Sequence, residues 1–156
     1  MTKSIEIQSP NDIKPKNGYV PVFLGGSIEM GKAEDWQKKI INGLKDKPFI
    51  FLNPRRDDWD SAWEQKITNP EFKLQVTWEL LGLEFAEVIV IYFDPETKSP
   101  ISLLELGLHA KSKKLIVCCP EPFWRKGNVD IVCERYGIKQ VETIEDVIKE
   151  LNELVV

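Results

Sequence analysis

Four short runs of the chain are almost continuously apolar: "YVPVFL" (19–24), "PFIFL" (48–52), "EVIVIYF" (87–93) and "KLIVCC" (114–119). None alternates between apolar and polar residues, which is the pattern of parallel strands covered on both faces. A weaker strand is predicted at 138–141. The opening "KSIEIQSPNDIKPKNG" alternates briefly and then turns polar, so residues 1–18 read as an edge strand or a loose arm. Between the strands lie helix-length stretches at 32–45, 70–85 and 100–111. A last helix is predicted at 143–154, with Thr143 as its cap and Glu145 and Asp146 in its first turn. Strand and helix alternate throughout. The pattern predicts an α/β fold: a three-layer, doubly wound sandwich of flavodoxin or Rossmann type, with about five mainly parallel strands, in a single domain over 1–156.

One stretch departs from this regularity. "SPISLLELGLHA" (99–110) starts as a helix should, because Ser99 can cap it and Pro100 suits the first turn. Glu105 then interrupts an apolar run, sharing a stripe with Ile101, Ser102 and Leu108. Its carboxylate leans toward packed surroundings, where an unpaired charge is expensive. Further candidates collect where strands end, since ligands of such sheets bind outside the carboxyl ends near a reversal of strand order. The first strand is followed by Gly25, Gly26 and Ser27. The second leads into "NPRRDDWD", with Asn53, Arg55, Asp58 and Trp59, and the third ends at Asp94 before Ser99.

Each has a plain reading beside a functional one. The two glycines make a tight turn, or they let a ligand approach backbone N–H groups. "RRDDWD" is a solvated charge cluster or an anion clamp. Glu79, in "QVTWELLGLEFAE", is a surface acid or a second carboxylate for proton transfer. His109, the only histidine, reads as a surface or packing residue.

Composition narrows the partners. With 156 residues, 42% hydrophobic, 29% charged and a net charge of −4, the chain reads as an ordinary globular protein. It carries no basic cluster that would grip polymeric nucleic acid, while small nucleosides and nucleotides stay open. Three cysteines, two of them adjacent, form neither a disulfide framework nor a zinc pattern. No leader opens the sequence, and no apolar run approaches the roughly 20 residues of a membrane span. The cytoplasm is the expected compartment.

Taken in order, "VFLGGSI", an acid in the helix before the third strand, and "DPETKSPISLLELG" resemble the nucleoside 2-deoxyribosyltransferase family. The related 2'-deoxynucleoside 5'-phosphate N-hydrolases share the pattern, and the resemblance runs over about residues 20–140. "NPRRDDW" and "SPISLLELGL" look closest to the branch described as deoxyribosyltransferase-like. The resemblance implies that Glu105, in "ELG", is the nucleophile. It implies that Glu79 is the acid, where characterised relatives carry aspartate. Phe23 stands where the transferases have tyrosine and lacks its hydroxyl, and Asn128, in "RKGNVDIV", reaches a neighbouring subunit's site. A homo-oligomer, dimer or higher, with shared active sites follows, as does chemistry needing no metal or organic cofactor. Ser27 and Ser99 match the hydrolases, whose "GSI" cradles a 5'-phosphate. Glu29, however, replaces the arginine that follows and would repel phosphate. Arg55 and Arg56 would then clamp an anion, or pair with Asp57 and Asp58.

The expected function is cleavage or transfer at the N-glycosidic bond of a (deoxy)nucleoside or its monophosphate. A carboxylate fixed under the anomeric carbon stabilises an oxocarbenium-like transition state and collapses onto it, while a second acid protonates the leaving base. Two other readings stand beside it. One is a non-catalytic nucleotide-binding sensor, suggested by Phe23 and Glu79; the other is a glycosidase for a different ribosylated ligand. "EPFWRKGNVDIV", with Phe123 and Trp124 beside Arg125 and Lys126, is expected either as a subunit interface or as cover for the sheet edge.

Overall fold

Residues 2–29 and 33–155 are described in a computed structural model of the chain. Among them run the strands β1 (Ile5–Gln8), β2 (Val20–Gly26), β3 (Phe49–Asn53), β4 (Val88–Tyr92), β5 (Leu115–Cys118) and β6 (Lys139–Val141). The helices are α1 (Trp36–Gly43), α2 (Pro70–Phe85), α3 (Pro100–His109), α4 (Lys126–Tyr136) and α5 (Ile144–Glu153). The strands form one sheet in the order β1-β3-β2-β4-β5-β6, every neighbouring pair parallel.

Side chains alternate across the pleat, so one strand feeds two cores. Val22 and Leu24 pack with Trp36 and Ile40 of α1 and Val147 and Leu151 of α5. Phe23, between them, packs with Trp78 and Leu83 of α2, Leu106 of α3 and Val129 of α4. Both faces are covered, which is why the inner strands carry no wet side. From β2 the chain winds through α1 to β3, then returns across β2 to β4 and continues to β5 and β6. The winding reverses between β2 and β4, and sheets of this kind bind ligands beyond the carboxyl ends at such a reversal.

The opening stretch is the edge strand of the two expected alternatives. Ile5 to Gln8 pair with Ile50 to Asn53 along the outside of β3, which brings the sheet to six strands rather than about five. Thr143 caps α5 by accepting from the Asp146 N–H at 3.1 Å. The helix expected at 32–45 begins at Trp36, capped by Asp35; Lys32 lies outside the described residues.

Two expectations are corrected. A helix lies where none was predicted, since Lys126–Tyr136, beginning inside "EPFWRKGNVDIV", form α4. Its buried pair Val129 and Cys133, one turn apart, and the left-handed Gly137 that ends it are ordinary helix signals. The start masked them, since Arg125 gives no side-chain cap. Phe123 is buried against Phe93, ring centroids 4.9 Å apart, so it covers the sheet. The second correction concerns α3. It buries Ser102, Glu105 and Leu106, and turns Ile101, Leu104 and Leu108 outward, each more than half exposed. Among the described residues no helix is long and apolar enough to cross a membrane.

Candidate active site

α2 and α3 lie side by side over the sheet, and each contributes one acid. Glu79 and Glu105 meet in a hydrogen bond between their carboxyls. Such a bond requires that one of them hold a proton, because two carboxylates have only acceptors. Burial pushes both above the ordinary carboxyl range, and for Glu105 the neighbouring Glu79 charge adds to the rise. Titration therefore belongs to the pair, whose protons leave well above the ordinary carboxyl range.

Gln75 decides where that proton leans. It sits one turn before Glu79, is 6% exposed, and has its whole amide engaged. Its Nε2 donates to Glu79 Oε2 at 2.8 Å and to the Pro54 carbonyl at 3.1 Å. Its Oε1 accepts from the Ser9 hydroxyl and, at 3.4 Å, from Arg56 Nη1. A donor aimed at Glu79 favours its ionised form, so the shared proton leans toward Glu105.

A second group forms where β2 and β4 end. The buried Ser27 Oγ accepts from the Asp94 N–H at 2.8 Å and lies within hydrogen-bond reach of Thr97 Oγ1, Ser99 Oγ and the Tyr92 carbonyl. Ser99 does not cap α3 with its hydroxyl, correcting the expectation; its backbone is left-handed at φ 45, and its side chain faces Ser27 and Thr97. The Ser99 N–H instead donates to Glu29 Oε1 at 2.9 Å. Gly26 answers to a close approach rather than a tight turn. Its φ is +138, and a Cβ there would meet the Tyr92 carbonyl and stand 2.9 Å from the Trp36 ring. A Cβ on Gly25 would stand 3.2 Å from the Phe23 ring.

The other sequence candidates fall outside these two groups. Phe23 is fully buried between Trp78 and Gly82, so its surface is taken by protein rather than opened to a ligand. Asn53 donates to Glu6 at 2.9 Å and accepts from the Arg55 N–H at 3.0 Å. The Arg55 guanidinium turns to the Ala33 and Glu34 carbonyls at 2.7 and 3.0 Å, ahead of α1. Both residues line a separate cavity of about 230 Å³ with Glu6, Gln8 and Asp57. A larger cavity of about 550 Å³ lies at the opposite end of the sheet, around Tyr19, Pro21 and Glu87. Neither contains the carboxyl pair.

Arg56 grips Asp58 through two bonds, 2.9 and 3.0 Å. Its guanidinium also lies over Trp59 and Trp63, whose rings meet edge to face at 4.8 Å. Gln75 joins this cluster to the acids, since it accepts from Arg56 and donates to Glu79. Asp94 shapes its own turn, accepting from the Glu96 N–H at 2.9 Å. Asn128 is exposed in the first turn of α4. Gln75, Trp63 and Thr97 were not singled out by the sequence reasoning. Only Gln75 left a signal, a polar residue one turn from Glu79 on the same stripe. Among the described residues no three His, Cys, Asp or Glu side chains gather as a metal site.

Comparison with known proteins bears on this geometry. A family model described as nucleoside 2-deoxyribosyltransferase like matches residues 19–123, which carry Glu79, Glu105, Ser27 and Ser99. Nothing among curated proteins matches the sequence. A crystal structure of a conserved protein from Enterococcus faecalis V583 is similar in fold, with a TM-score of 0.63 at 10% identity. It covers 88% of this chain and 99% of its own.

Proposed function

The chain belongs to the nucleoside 2-deoxyribosyltransferase-like family, and on that premise we propose that it breaks or exchanges the N-glycosidic bond of a small nucleoside or nucleotide through a covalent sugar–Glu105 intermediate. The observation that carries this is the Glu79–Glu105 carboxyl pair, Glu105 buried and Glu79 half-buried, with both acids raised above the ordinary carboxyl range.

In the resting pair the proton leans to Glu105. As the bond from base to sugar stretches, positive charge grows at the anomeric carbon, and a cation beside Glu105 favours its ionised form. The proton crosses the hydrogen bond to Glu79, which delivers it to the departing base. Glu105 bonds to the anomeric carbon as the carbon–nitrogen bond breaks. Glu79, now ionised, takes a proton from water or from the N–H of an incoming base. That nucleophile displaces Glu105, and the pair again holds one proton. The protein's residues do this without a metal or organic cofactor in the scheme.

The chain is taken to work as a single domain in the reducing cytoplasm, with which its three buried free thiols agree. It is also taken to assemble with itself. The outward leucines of α2 and α3, with Ile101, support that, and the exposed Asn128 supports a site shared between copies.

The test is incubation with deoxynucleosides and their monophosphates, followed by chromatography for released base. Release is expected from wild type and absent from Glu105→Gln. A 2-fluoro sugar analogue should slow breakdown of the intermediate and leave its mass on Glu105. Wild-type turnover by Glu105→Gln would overturn the mechanism. Addition of a second free base separates transfer, which returns a new nucleoside, from hydrolysis.

A further inference from the structure

The side-chain amide of Gln75 is nearly symmetrical in shape, so it can turn over and exchange its oxygen for its NH2 at no cost in volume. The exchange would matter to Glu79, which meets Nε2 at 2.8 Å and would then meet an oxygen. Part of the surroundings suits either orientation. The Ser9 hydroxyl holds the amide in place by donating to Oε1, and it could equally accept from an N–H. Glu79 accepts when ionised and donates when protonated. Two neighbours lack that freedom, and both lie in the "NPRR" stretch that follows β3. The Pro54 carbonyl, 3.1 Å from Nε2, only accepts. Arg56 Nη1, 3.4 Å from Oε1, only donates. That distance is long for a hydrogen bond. The contact therefore draws its force from a full charge facing the amide oxygen.

Arg56 is itself firmly held. Its Nε and Nη2 fork onto Asp58 Oδ1 and Oδ2 at 2.9 and 3.0 Å, which leaves Nη1 for Gln75. The guanidinium also lies 5.8 and 5.5 Å from the ring centres of Trp59 and Trp63. The side chain is only 9% exposed. We infer that Arg56 is a positioning residue: it fixes which way the Gln75 amide faces, and so keeps an N–H rather than an oxygen against Glu79. Its bearing on turnover rests on the reading of the Glu79–Glu105 pair as the reacting acids. Glu79 is faced by Glu105 from α3 and by Gln75 from its own helix, and Glu105 by Glu79. Arg56 and Asp58 stand behind Gln75.

The test is a pH titration of the full chain carrying isotope-labelled glutamate, followed by NMR at the Glu79 and Glu105 carboxyls. Base release from deoxynucleosides is measured over the same pH range. Arg56→Met keeps the stem and removes the charge and the N–H groups. Ionised Glu79 then loses a donor that was fixed in place. The titration of the pair and the alkaline limb of turnover should both move upward, by about half a pH unit or more. In a chain that already carries Gln75→Leu, the same substitution should add almost nothing, because the residue it acts through is gone. Asp58→Asn is a second variant should the first melt early, since the side chain it changes is 73% exposed. Loss of that negative charge alone would ease ionisation of the acids and move the titration down, whereas release of Arg56 moves it up. Upward is the expected result. A titration unmoved or lowered in either folded variant would overturn the inference. So would an equal upward shift with and without Gln75, which would make Arg56 a distant charge only. The expected shifts in a protein that releases base from no substrate would keep Arg56 as the positioner and remove the Glu105 reaction. Base release abolished by Glu105→Gln, with a pH profile indifferent to Arg56, would do the reverse.

Discussion

Two neighbouring carboxyls, one buried and one half-buried, make the native state sensitive to pH in a definite direction. In the unfolded chain both titrate near the ordinary value of 4.5, whereas in the fold both are raised, Glu105 to about 8. The folded chain thus binds more protons over that interval, and its stability declines as pH rises through it. Glu105→Gln removes one ionisation and keeps the shape. It should abolish base release yet resist urea better than wild type at pH 9, by on the order of 1 kcal/mol or more, with a smaller difference at pH 5. A variant no more stable than wild type at pH 9 would show that the pair is not held as described. Turnover, which needs the singly protonated pair, should fall as pH passes about 8.

Gln75→Leu takes away the N–H that favours ionised Glu79, so the alkaline limb of the pH–rate profile should move upward. The stability loss from its orphaned partners should be about 1–3 kcal/mol. A loss of stability with an unmoved pH profile would make Gln75 structural only. Glu105 was legible in the sequence because it interrupts an apolar run. Gln75 was not, because its meaning comes from Ser9, Pro54 and Arg56, which only the fold brings to it.

At the scale of elements, the carboxyl ends of β2 and β4 are locked by the Ser27–Thr97–Ser99 hydroxyls and by Gly26. Gly26→Ala places a Cβ against the Tyr92 carbonyl and the Trp36 ring at a φ that alanine avoids. It should destabilise the chain by about 3 kcal/mol or more, or prevent folding, as denaturant titration would show. Ser99→Ala should lower activity on nucleosides and monophosphates alike, since its hydroxyl faces Ser27 and Thr97; a loss confined to monophosphates would contradict that.

The elements themselves were readable wherever burial was complete on both sides. The spans of β3 and β4 follow from continuous apolar runs. α4 was missed because only Val129 and Cys133 are buried and its first turn has no cap. The orientation of α3 was misjudged for a related reason. Its apolar residues surround the axis, so periodicity could not say which side faces the sheet.

For the molecule as a whole, that orientation leaves an apolar exterior. Leu74 and Leu81 of α2 and Ile101, Leu104 and Leu108 of α3 are each more than half exposed on neighbouring helices, a pattern typical of an association surface. Leu104→Glu should therefore shift the elution of the chain toward a monomer and lower activity if sites are shared, while circular dichroism stays native. A complementation experiment separates sharing from mere association. Glu105→Ala and Asn128→Ala should each be inactive alone and regain partial activity when co-expressed, because some sites then combine an intact residue from each copy. No recovery in a verified mixed oligomer would mean that each chain completes its own site.

Where the chain can be shortened is a separate matter, and Ser9 answers it. The family match begins at residue 19, but Ser9 bonds to Gln75 and the Asn11 carbonyl accepts the Trp78 indole N–H at 2.8 Å. The stretch ahead of the shared region thus grips the helix that holds Glu79 from outside. A version that began at residue 19 would keep both acids and every residue of the hydroxyl cluster, yet lose the clamp that sets the helix's amide. Its acids should titrate at different pH from those of the full chain. Any ancestor or relative without such an arm would have needed another way to hold its second carboxyl, and grafting residues 2–18 onto one is a direct way to learn whether the arm is dispensable.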